Sequence, residues 1–201
     1  MQIEIVRTKE QMKRLRALYE EAFPKSEKKP FSMMKRLRKK GNMEFLCIED
    51  GEGSFLGLAI MLLCGELALL DYFAVSPEHR GKNVGSQALA ALQQRYRDKK
   101  FLLEIESTAG LEADGGSGDG KAPSAETGKL PENAAERIRR KSFYLRNGMT
   151  PMDFNVDLFG VEMEILTHGR DVSYEEYHSI FETLFPKFMA GKVKRIAKSA
   201  S

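Results

Sequence analysis

The alternation of hydrophobic and polar positions predicts one strand, two helices and three further strands in the first half of the chain. Ile3 and Ile5 alternate with polar residues, as in a short half-buried strand. Apolar residues then recur at helical spacing from Met12 to Phe23, and prolines end that helix. Turn residues separate the apolar runs that follow. The second helix and the three strands are predicted at 32–40, 43–49, 54–64 and 67–75.

The second half predicts a helix, a strand, a second helix, a pair of strands that meet at Gly160, and a last helix. The glycine-rich stretch 108–133 is too polar to pack, so we predict a mobile surface loop there. The strands at 67–75 and 100–107 should be joined by a right-handed parallel crossover, which gives a mixed α/β fold. The remaining predicted elements are at 84–99, 135–147, 154–166 and 173–188.

Composition indicates one domain with a substantial core, because 42% of the 201 residues are apolar. The formal net charge of +3 is too small to be typical of a nucleic-acid binder. Two stretches are locally basic: residues 25–40 contain eight Lys/Arg and one Glu, and residues 187–201 contain five Lys/Arg and no acid. We interpret them as a solvated face and a frayed terminus, with a docking surface for an acidic partner as the alternative.

The cysteines and the hydropathy pattern bear on location. Cys47 and Cys64 lie inside apolar runs, which indicates buried thiols in a reducing compartment. The cysteines and histidines have no spacing typical of a zinc site, so we expect no metal. The N-terminus lacks a signal-peptide layout, and the longest apolar run, 55–64, is too short to span a membrane. We therefore expect a cytoplasmic protein without a membrane partner.

The run PEHRGKNVGSQAL, residues 77–89, places glycines and basic residues immediately before a predicted helix. A helix N-terminus has unpaired N–H groups and a partial positive charge, and both attract phosphate. Gly81 and Gly85 would let an anion approach the backbone, while Arg80 and Lys82 add positive charge. The run predicts a phosphate-binding turn, with an ordinary strand–turn–helix link as the alternative.

Two segments carry a family resemblance: YFAVSPEHRGKNVGSQAL at 72–89 and FYLRNGM at 143–149. The first resembles the signature of the GNAT superfamily of acyl-CoA-dependent N-acyltransferases, which ends in Arg/Gln-x-x-Gly-x-Gly/Ala at a helix start. The second resembles the family's Tyr-x-x-x-Gly-Phe element, and the element order fits the family over residues 1–166. The resemblance implies a GNAT-like, mostly antiparallel sheet of about six or seven strands flanked by helices. Residues 167–201 would add a C-terminal helix and a basic tail.

The resemblance implies how acetyl-CoA would bind. The backbone of Phe73, Ala74 and Val75 would hydrogen-bond the pantetheine arm like an added strand in a splayed part of the sheet, and a strand N–H near Ala74 would polarise the thioester. Asn83 replaces a glycine of the family pattern, and asparagine is among the least penalised residues if that position needs a positive φ. The pyrophosphate would be held by Arg80, Gly81, Lys82, Asn83, Val84, Gly85 and Ser86.

The resemblance also implies catalytic residues. Tyr144 matches the family tyrosine that protonates the departing thiolate, a feasible transfer because phenol and thiol have comparable pKa values. Many family members carry a glutamate base on the preceding strand, where this chain has Leu69. Glu104, in LLEIES, matches a glutamate that other members carry on the next strand, followed by Glu106 and then Asp71 as candidates. A water-relayed base is the remaining alternative.

These residues predict an enzyme that moves an acetyl or similar acyl group from acetyl-CoA to a primary amine within a ternary complex. The acceptor would be a small-molecule or peptide amine, and the basic stretch 25–40 beside the expected acceptor site favours an acidic one. One alternative is a CoA-binding regulatory module without turnover. Another is a ribosome- or nucleic-acid-associated protein that uses stretch 25–40, although we do not expect nucleic acid as the main partner. The last helix leaves a homodimer open.

Overall fold

The computed structural model describes residues 1–111 and 133–197, and within them the predicted order of elements is confirmed. Most of the predicted loop 108–133 lies outside the described residues. The strands are β1 (Gln2–Ile5), β2 (Met43–Glu49), β3 (Phe55–Cys64), β4 (Leu67–Val75), β5 (Lys100–Glu106), β6 (Thr150–Leu158), β7 (Val161–His168) and β8 (Val193–Ala197). The helices are α1 (Lys9–Ala22), α2 (Phe31–Lys39), α3 (Val84–Arg95), α4 (Ala134–Arg146), α5 (Tyr174–Leu184) and α6 (Lys187–Ala190).

The described strands form one eight-stranded sheet in the order β1-β2-β3-β4-β5-β7-β6-β8. β4 and β5 are parallel, and every other neighbouring pair is antiparallel. The mostly antiparallel α/β fold is confirmed, with eight strands where about six or seven were expected. Because α3 connects the parallel pair, its N-terminus follows the carboxyl end of β4.

The basic tail differs from the frayed terminus that we expected. Val193–Ala197 form β8, which pairs with β6 at the edge of the sheet. Val193 is buried, whereas Lys194 and Arg195 are exposed. Exposed basic side chains are typical of edge strands because they oppose pairing with a further strand. The frayed-terminus interpretation is therefore wrong for this segment.

Each face of the sheet carries its own hydrophobic core. On one face, α1, α2 and α5 pack against sheet residues that include Leu69 and Leu102. On the other face, α3 and α4 pack against residues that include Leu70 and Leu103. Successive residues of a strand point to opposite faces, so β4 and β5 contribute to both cores. We refer to these as the α1/α2/α5 face and the α3/α4 face.

Capping boxes fix where two helices of the α1/α2/α5 face begin. The Thr8 hydroxyl accepts a 3.1 Å hydrogen bond from the Gln11 N–H, and the Gln11 side chain accepts one from the Thr8 N–H. Ser173 and Glu176 form the same reciprocal pair at the start of α5. Each box satisfies two N–H groups that the helix leaves unpaired. The boxes thereby orient the two helices that carry Tyr19 and Tyr177 to the sheet.

None of the described helices is both long and apolar enough to cross a membrane. Cys47 is buried in β2 and Cys64 is half-buried at the end of β3, and both thiols are free. Burial raises the pKa of Cys47 to about 12, so this thiol stays protonated and unreactive.

Gly57 in β3 permits a close approach of β4. It lies opposite Val75, and a methyl group at this position would overlap the carbonyl oxygen of Ala74 and lie 3.1 Å from the Val75 Cα. A glycine inside a strand often marks such an approach of two backbones. The obstructing atoms belong to the backbone, so relief would require the end of β4 to shift. Gly57 therefore sets the position of residues 73–75.

We expect Gly57→Ala to destabilise the fold by about 1–3 kcal/mol, because the added methyl group overpacks the contact between β3 and β4. Gly51→Ala is the matched control, since no atom lies within 4 Å of the position that its methyl group would take. Chemical denaturation of both variants measures the difference. Equal free energies of unfolding would contradict the close contact.

Candidate active site

The sheet opens between its two parallel strands. β4 and β5 pair as far as Leu70 and Leu103, after which β4 continues to Val75 and β5 to Glu106 without pairing with each other. The unpaired ends of β4 and β5 form the two walls of a gap, and residues of these ends belong to the hydrophobic cores of both faces. We call this gap the opening.

A β-bulge at Asp71 marks where the opening starts. Leu70 and Tyr72 face consecutive residues of β3, so Asp71 has no partner on that strand. An extra residue of this kind bends its strand and increases the local twist, which separates β4 from β5. The bulge also places Asp71 and Tyr72 on the same side of the sheet. Both side chains hydrogen-bond to the segment between α1 and α2.

Phe73, Ala74 and Val75 form one wall of the opening. They pair with β3 along one edge, and no strand of the described part of the chain pairs with their other edge. An extended ligand can add to such an edge through main-chain hydrogen bonds. The three residues predicted to bind a pantetheine arm therefore lie where the sheet can accept one.

The turn after β4 contains two left-handed residues. A 3₁₀ turn, Pro77–His79, is followed by Gly81 with φ 74° and Asn83 with φ 60°. Asn83 thus occupies the left-handed region, which asparagine tolerates better than most residues. This agrees with the expectation that asparagine replaces the family glycine at a position of positive φ. Asn83 is also the N-cap of α3, and its side chain makes no capping hydrogen bond.

This turn leaves a row of backbone donors unpaired. Within the described residues, the N–H groups from Gly81 to Ser86 donate no hydrogen bond. Arg80 lies beside them, held by a 3.1 Å hydrogen bond from its Nε to the Val75 carbonyl oxygen, and Lys82 adds a second positive charge. Free N–H groups at the positive end of a helix dipole suit a phosphate. The residues predicted to hold the pyrophosphate fit that group.

Helix α4 packs against the start of α3 on the α3/α4 face. A methyl group at Gly85 would lie 3.4 Å from Cζ of Phe143, so this glycine makes room for α4. The rings of Phe143 and Tyr144 meet edge to face, with centroids 5.2 Å apart. Burial raises the pKa of Tyr144 to about 12, with slight opposition from Arg140. The phenol therefore stays protonated at neutral pH.

Glu104 lies on the opposite face of the opening. Its neighbours Leu103 and Ile105 belong to the α3/α4 core, whereas Glu104 Oε1 accepts a 2.7 Å hydrogen bond from the hydroxyl of Tyr177 in α5. Burial raises the pKa of Glu104, although the Lys29 ammonium and the Tyr177 hydroxyl oppose the shift. A carboxylate with a raised pKa accepts a proton more readily at neutral pH.

Lys29, in the segment between α1 and α2, has its ammonium group on the side of the opening where Glu104 lies. Its Nζ lies 2.6 Å from Asp71 Oδ1, and the Asp71 side chain is only 3% exposed. Asp71 Oδ2 is buried and has no hydrogen-bond partner among the described residues. Burial alone would lower the pKa of Lys29, but the carboxylates of Asp71 and Glu104 outweigh it and raise that pKa. The two carboxylates therefore share one cation.

Glu106, the second candidate base, is bound at the rim of the opening. Its Oε1 accepts a 2.8 Å hydrogen bond from Arg137, and its Oε2 accepts one of 3.1 Å from Asn133. These bonds occupy both oxygens and join β5 to the start of α4. Leu69, at the family's more usual base position, is buried in the α1/α2/α5 core, so that position supplies no proton acceptor.

Three residues of the site were missed in the sequence. Lys29 was one of eight basic residues in a stretch interpreted as a solvated face. Tyr177 fell on the apolar side of a predicted helix, where an aromatic ring needs no special role. Gly57 did carry a signal, because a glycine inside an apolar strand indicates a close backbone approach. The other two become recognisable only when the chain is folded.

The model of the acetyltransferase (GNAT) family matches residues 12–113, half of the chain. The chain belongs to this family. As a GNAT protein it is an acetyltransferase, and the family uses acetyl-CoA as its acyl donor. A comparison with curated proteins found no match.

Solved GNAT structures share the fold. A GNAT-family protein from Bacteroides thetaiotaomicron is 19% identical, with a TM-score of 0.67 over 92% of this chain and 96% of that one. The spermidine/spermine N-acetyltransferase SpeG from Vibrio cholerae is 11% identical, with a TM-score of 0.54 over 83% of this chain and 90% of that one. Similarity at these identities shows a common fold for the GNAT chain.

We expect Asn83→Gly to retain the affinity for acetyl-CoA and Asn83→Val to weaken it. A β-branched residue in the left-handed region costs about 1–2 kcal/mol, which corresponds to a loss of roughly five- to thirtyfold in affinity. Isothermal titration calorimetry with acetyl-CoA measures both variants. Equal affinities would mean that binding does not depend on the left-handed turn.

Proposed function

We propose that this GNAT acetyltransferase moves an acetyl group from acetyl-CoA directly to a primary amine, with the two substrates on opposite sides of the opening. The observation that carries the proposal is the placement of Glu104 on the α1/α2/α5 face and Tyr144 on the α3/α4 face. Direct transfer needs a base at the amine and an acid at the departing sulfur. One opening with a carboxylate on one face and a phenol on the other suits both needs.

The turn and strand around the opening would hold acetyl-CoA. The N–H groups from Gly81 to Ser86 would bind the pyrophosphate, with Arg80 and Lys82 supplying positive charge. The free edge of residues 73–75 would pair with the pantetheine arm and direct the thioester into the opening. A β4 N–H near Ala74 would then stabilise negative charge on the carbonyl oxygen.

Glu104 would accept the proton of the acceptor amine. Tyr177 binds Oε1 and fixes the carboxylate, which leaves Oε2 to receive the proton. The pKa of Glu104 is raised chiefly by burial, so the group is a stronger base than an exposed glutamate. Glu106 is less suited, because Arg137 and Asn133 already occupy its oxygens.

Tyr144 would stabilise the departing thiolate. Its pKa is about 12, so the phenol is a weaker acid than a thiol with a pKa of about 8.5. A complete proton transfer to sulfur would be uphill, and the phenolate would have to regain a proton at once. The hydroxyl is better suited to donate a hydrogen bond to sulfur as negative charge develops there.

The charges near the opening favour a cationic acceptor over the acidic one expected from the basic stretch 25–40. Within that stretch, Lys28 pairs with Glu20, and Lys29 is itself bound to Asp71. The groups presented on the acceptor side include the carboxylates of Asp71, whose side chain is buried, and Glu104, which is half-buried. A small amine that enters as an ammonium ion suits this arrangement, as does a polyamine such as the spermidine named for SpeG. Release of CoA with a panel of amines, peptides and acidic amines, read by product mass, tests the proposal.

We expect the kcat/KM of the wild-type chain to fall as the pH drops through the raised pKa of Glu104, because the protonated carboxyl cannot accept a proton. Glu104→Gln should lower kcat/KM by about 10²–10⁴-fold and abolish this acidic limb. A pH–rate profile of CoA release measures both effects. Glu106→Gln is the control and should keep the limb. Loss of the limb in Glu106→Gln alone would reverse the assignment.

We expect Tyr144→Phe to lower kcat by about 10²–10³-fold, as for the loss of one preorganised donor, with little change in the affinity for acetyl-CoA. Steady-state kinetics and calorimetry separate the two quantities. Tyr96→Phe is the control, because Tyr96 is a buried tyrosine of the same face whose hydroxyl donates to Glu44 at 2.6 Å. Equal kcat values for the two variants would remove Tyr144 from the mechanism.

A further inference from the structure

An amine of the protein itself lies on the acceptor side of the opening. The Nζ of Lys29 is 2.6 Å from Asp71, the bulged residue at which β4 leaves β5. Its charge also acts on Glu104, the candidate base on the other wall. An acceptor amine in the proposed reaction needs this position: beside the base, and across the opening from Tyr144.

The backbone of Lys29 is held from two sides. Its N–H donates to the Tyr72 hydroxyl at 2.9 Å, and its carbonyl oxygen accepts a 3.1 Å hydrogen bond from the Tyr19 hydroxyl. The Tyr72 hydroxyl in turn donates to the Glu27 carbonyl oxygen at 2.8 Å. Both tyrosines belong to the core of the α1/α2/α5 face. Lys29 is therefore fixed by the fold, unlike a lysine on a freely moving surface segment.

The adjacent Lys28 provides a contrast. Its Nζ lies 2.8 Å from Glu20 Oε2 and also donates to the Glu20 carbonyl oxygen, so it points back to α1. The two lysines share the same local sequence and differ in their partners. Only Lys29 of the pair contacts a residue of the opening.

We propose that Lys29 is an acyl acceptor, acetylated by the acetyl-CoA bound to the same chain. This inference rests on the proposed function. The Lys29 ammonium gives one proton to a neighbouring carboxylate, and the neutral Nζ forms a bond to the thioester carbonyl carbon. The bond from that carbon to sulfur then breaks, with the Tyr144 hydroxyl donating a hydrogen bond to the departing thiolate. The second proton lost by the nitrogen is taken up by sulfur to give the thiol. Acetyl-CoA and the Lys29 ammonium are converted to acetyl-lysine, CoA thiol and one proton released to solvent.

The modification would change the charge of the site. Acetyl-lysine is neutral, so Asp71 and Glu104 would lose the cation that they share. The pKa of Glu104 would then rise further, because Lys29 now opposes its increase. A chain acetylated at Lys29 should therefore be a slower enzyme at neutral pH, with its acidic limb displaced to higher pH.

The test is incubation of the full chain with acetyl-CoA and no other amine, followed by cleavage after glutamate. Cleavage after Glu27 and Glu44 releases the peptide 28–44, in which tandem mass spectrometry distinguishes Lys28, Lys29 and Lys35. We expect Lys29 to be acetylated at least tenfold faster than the other two. The first-order rate constant should not change with protein concentration, because donor and acceptor share one chain. Equal rates at the three lysines, or a rate constant proportional to protein concentration, would overturn the proposal.

Variants separate the reaction in the site from chemical acetylation by acetyl-CoA in solution. Tyr144→Phe should slow the acetylation of Lys29 by the same factor as the reaction of an external amine, and leave Lys35 unaffected. Lys29→Arg should remove the signal, whereas Lys28→Arg should retain it. An unchanged rate at Lys29 in Tyr144→Phe would assign the modification to solution chemistry and refute the inference.

The pH dependence adds a second readout. The rate at Lys29 should rise by about tenfold per pH unit below the raised pKa of its ammonium, since only the neutral amine reacts. A rate independent of pH would contradict attack by this amine. The titratable groups that act on this ammonium are Asp71, Glu104 and Tyr19, and the centroid of the Tyr72 ring lies 5.3 Å from its Nζ. Tyr177 acts on Glu104, to which its hydroxyl donates.

External turnover distinguishes this inference from the proposed function. Turnover of an external amine without modification of Lys29 would refute the inference and leave the proposed function standing. Absence of acetyl-CoA binding in calorimetry would refute both.

Discussion

The separation of β4 from β5 is the constraint on which the rest of the site depends. These strands form the parallel pair of an otherwise antiparallel sheet, and they stay paired over only four residues each. A central strand must normally satisfy its backbone groups on both edges. The bulge at Asp71 and the close contact at Gly57 hold the end of β4 against β3 instead. An edge in the middle of the sheet is thereby left available to a ligand.

The carboxylates of Asp71 and Glu104 lie beside this opening, and their energies depend on how they are compensated. A buried carboxylate is costly unless a cation or hydrogen bonds compensate it. Here Asp71 and Glu104 share the ammonium of Lys29, and the Tyr177 hydroxyl supplies one more hydrogen bond. The compensation is incomplete, since one oxygen of Asp71 has no partner among the described residues. In the proposed reaction, the ammonium of the acceptor would add to this incomplete compensation.

Much of this arrangement is local enough to be predicted from the sequence. Periodicity located the strands and helices, and the pattern around Asn83 indicated a left-handed turn before α3 that the structure contains. Glu104 was identifiable because a carboxylate inside an apolar strand needs a purpose or a partner. Lys29 and Tyr177 were not identifiable, because their importance comes from contacts 42 and 73 residues away in the chain. The role of β8 also depends on tertiary structure, since a short basic run fits an edge strand and a free terminus equally well.

Two glutamates on neighbouring strands, Glu164 on β7 and Glu104 on β5, have pKa values shifted in opposite directions. On β7, burial would raise the pKa of Glu164, but the Thr108 N–H and hydroxyl and the Lys141 ammonium lower it. Lowering the pKa means that this network stabilises the fold at neutral pH and loses its effect only as the pH falls through that pKa.

On β5, Glu104 shifts in the opposite direction and changes charge at a higher pH. Lys141 belongs to α4, the helix that carries Tyr144 three residues later, and Arg137 of the same helix binds Glu106. The ion pairs of Lys141 and Arg137 thus anchor the helix that carries Tyr144, while Glu104, with its raised pKa, lies on the α1/α2/α5 face. Because the pKa values of Glu104 and Glu164 shift in opposite directions, Glu104 can change its protonation state while Glu164 continues to bind Lys141 of α4.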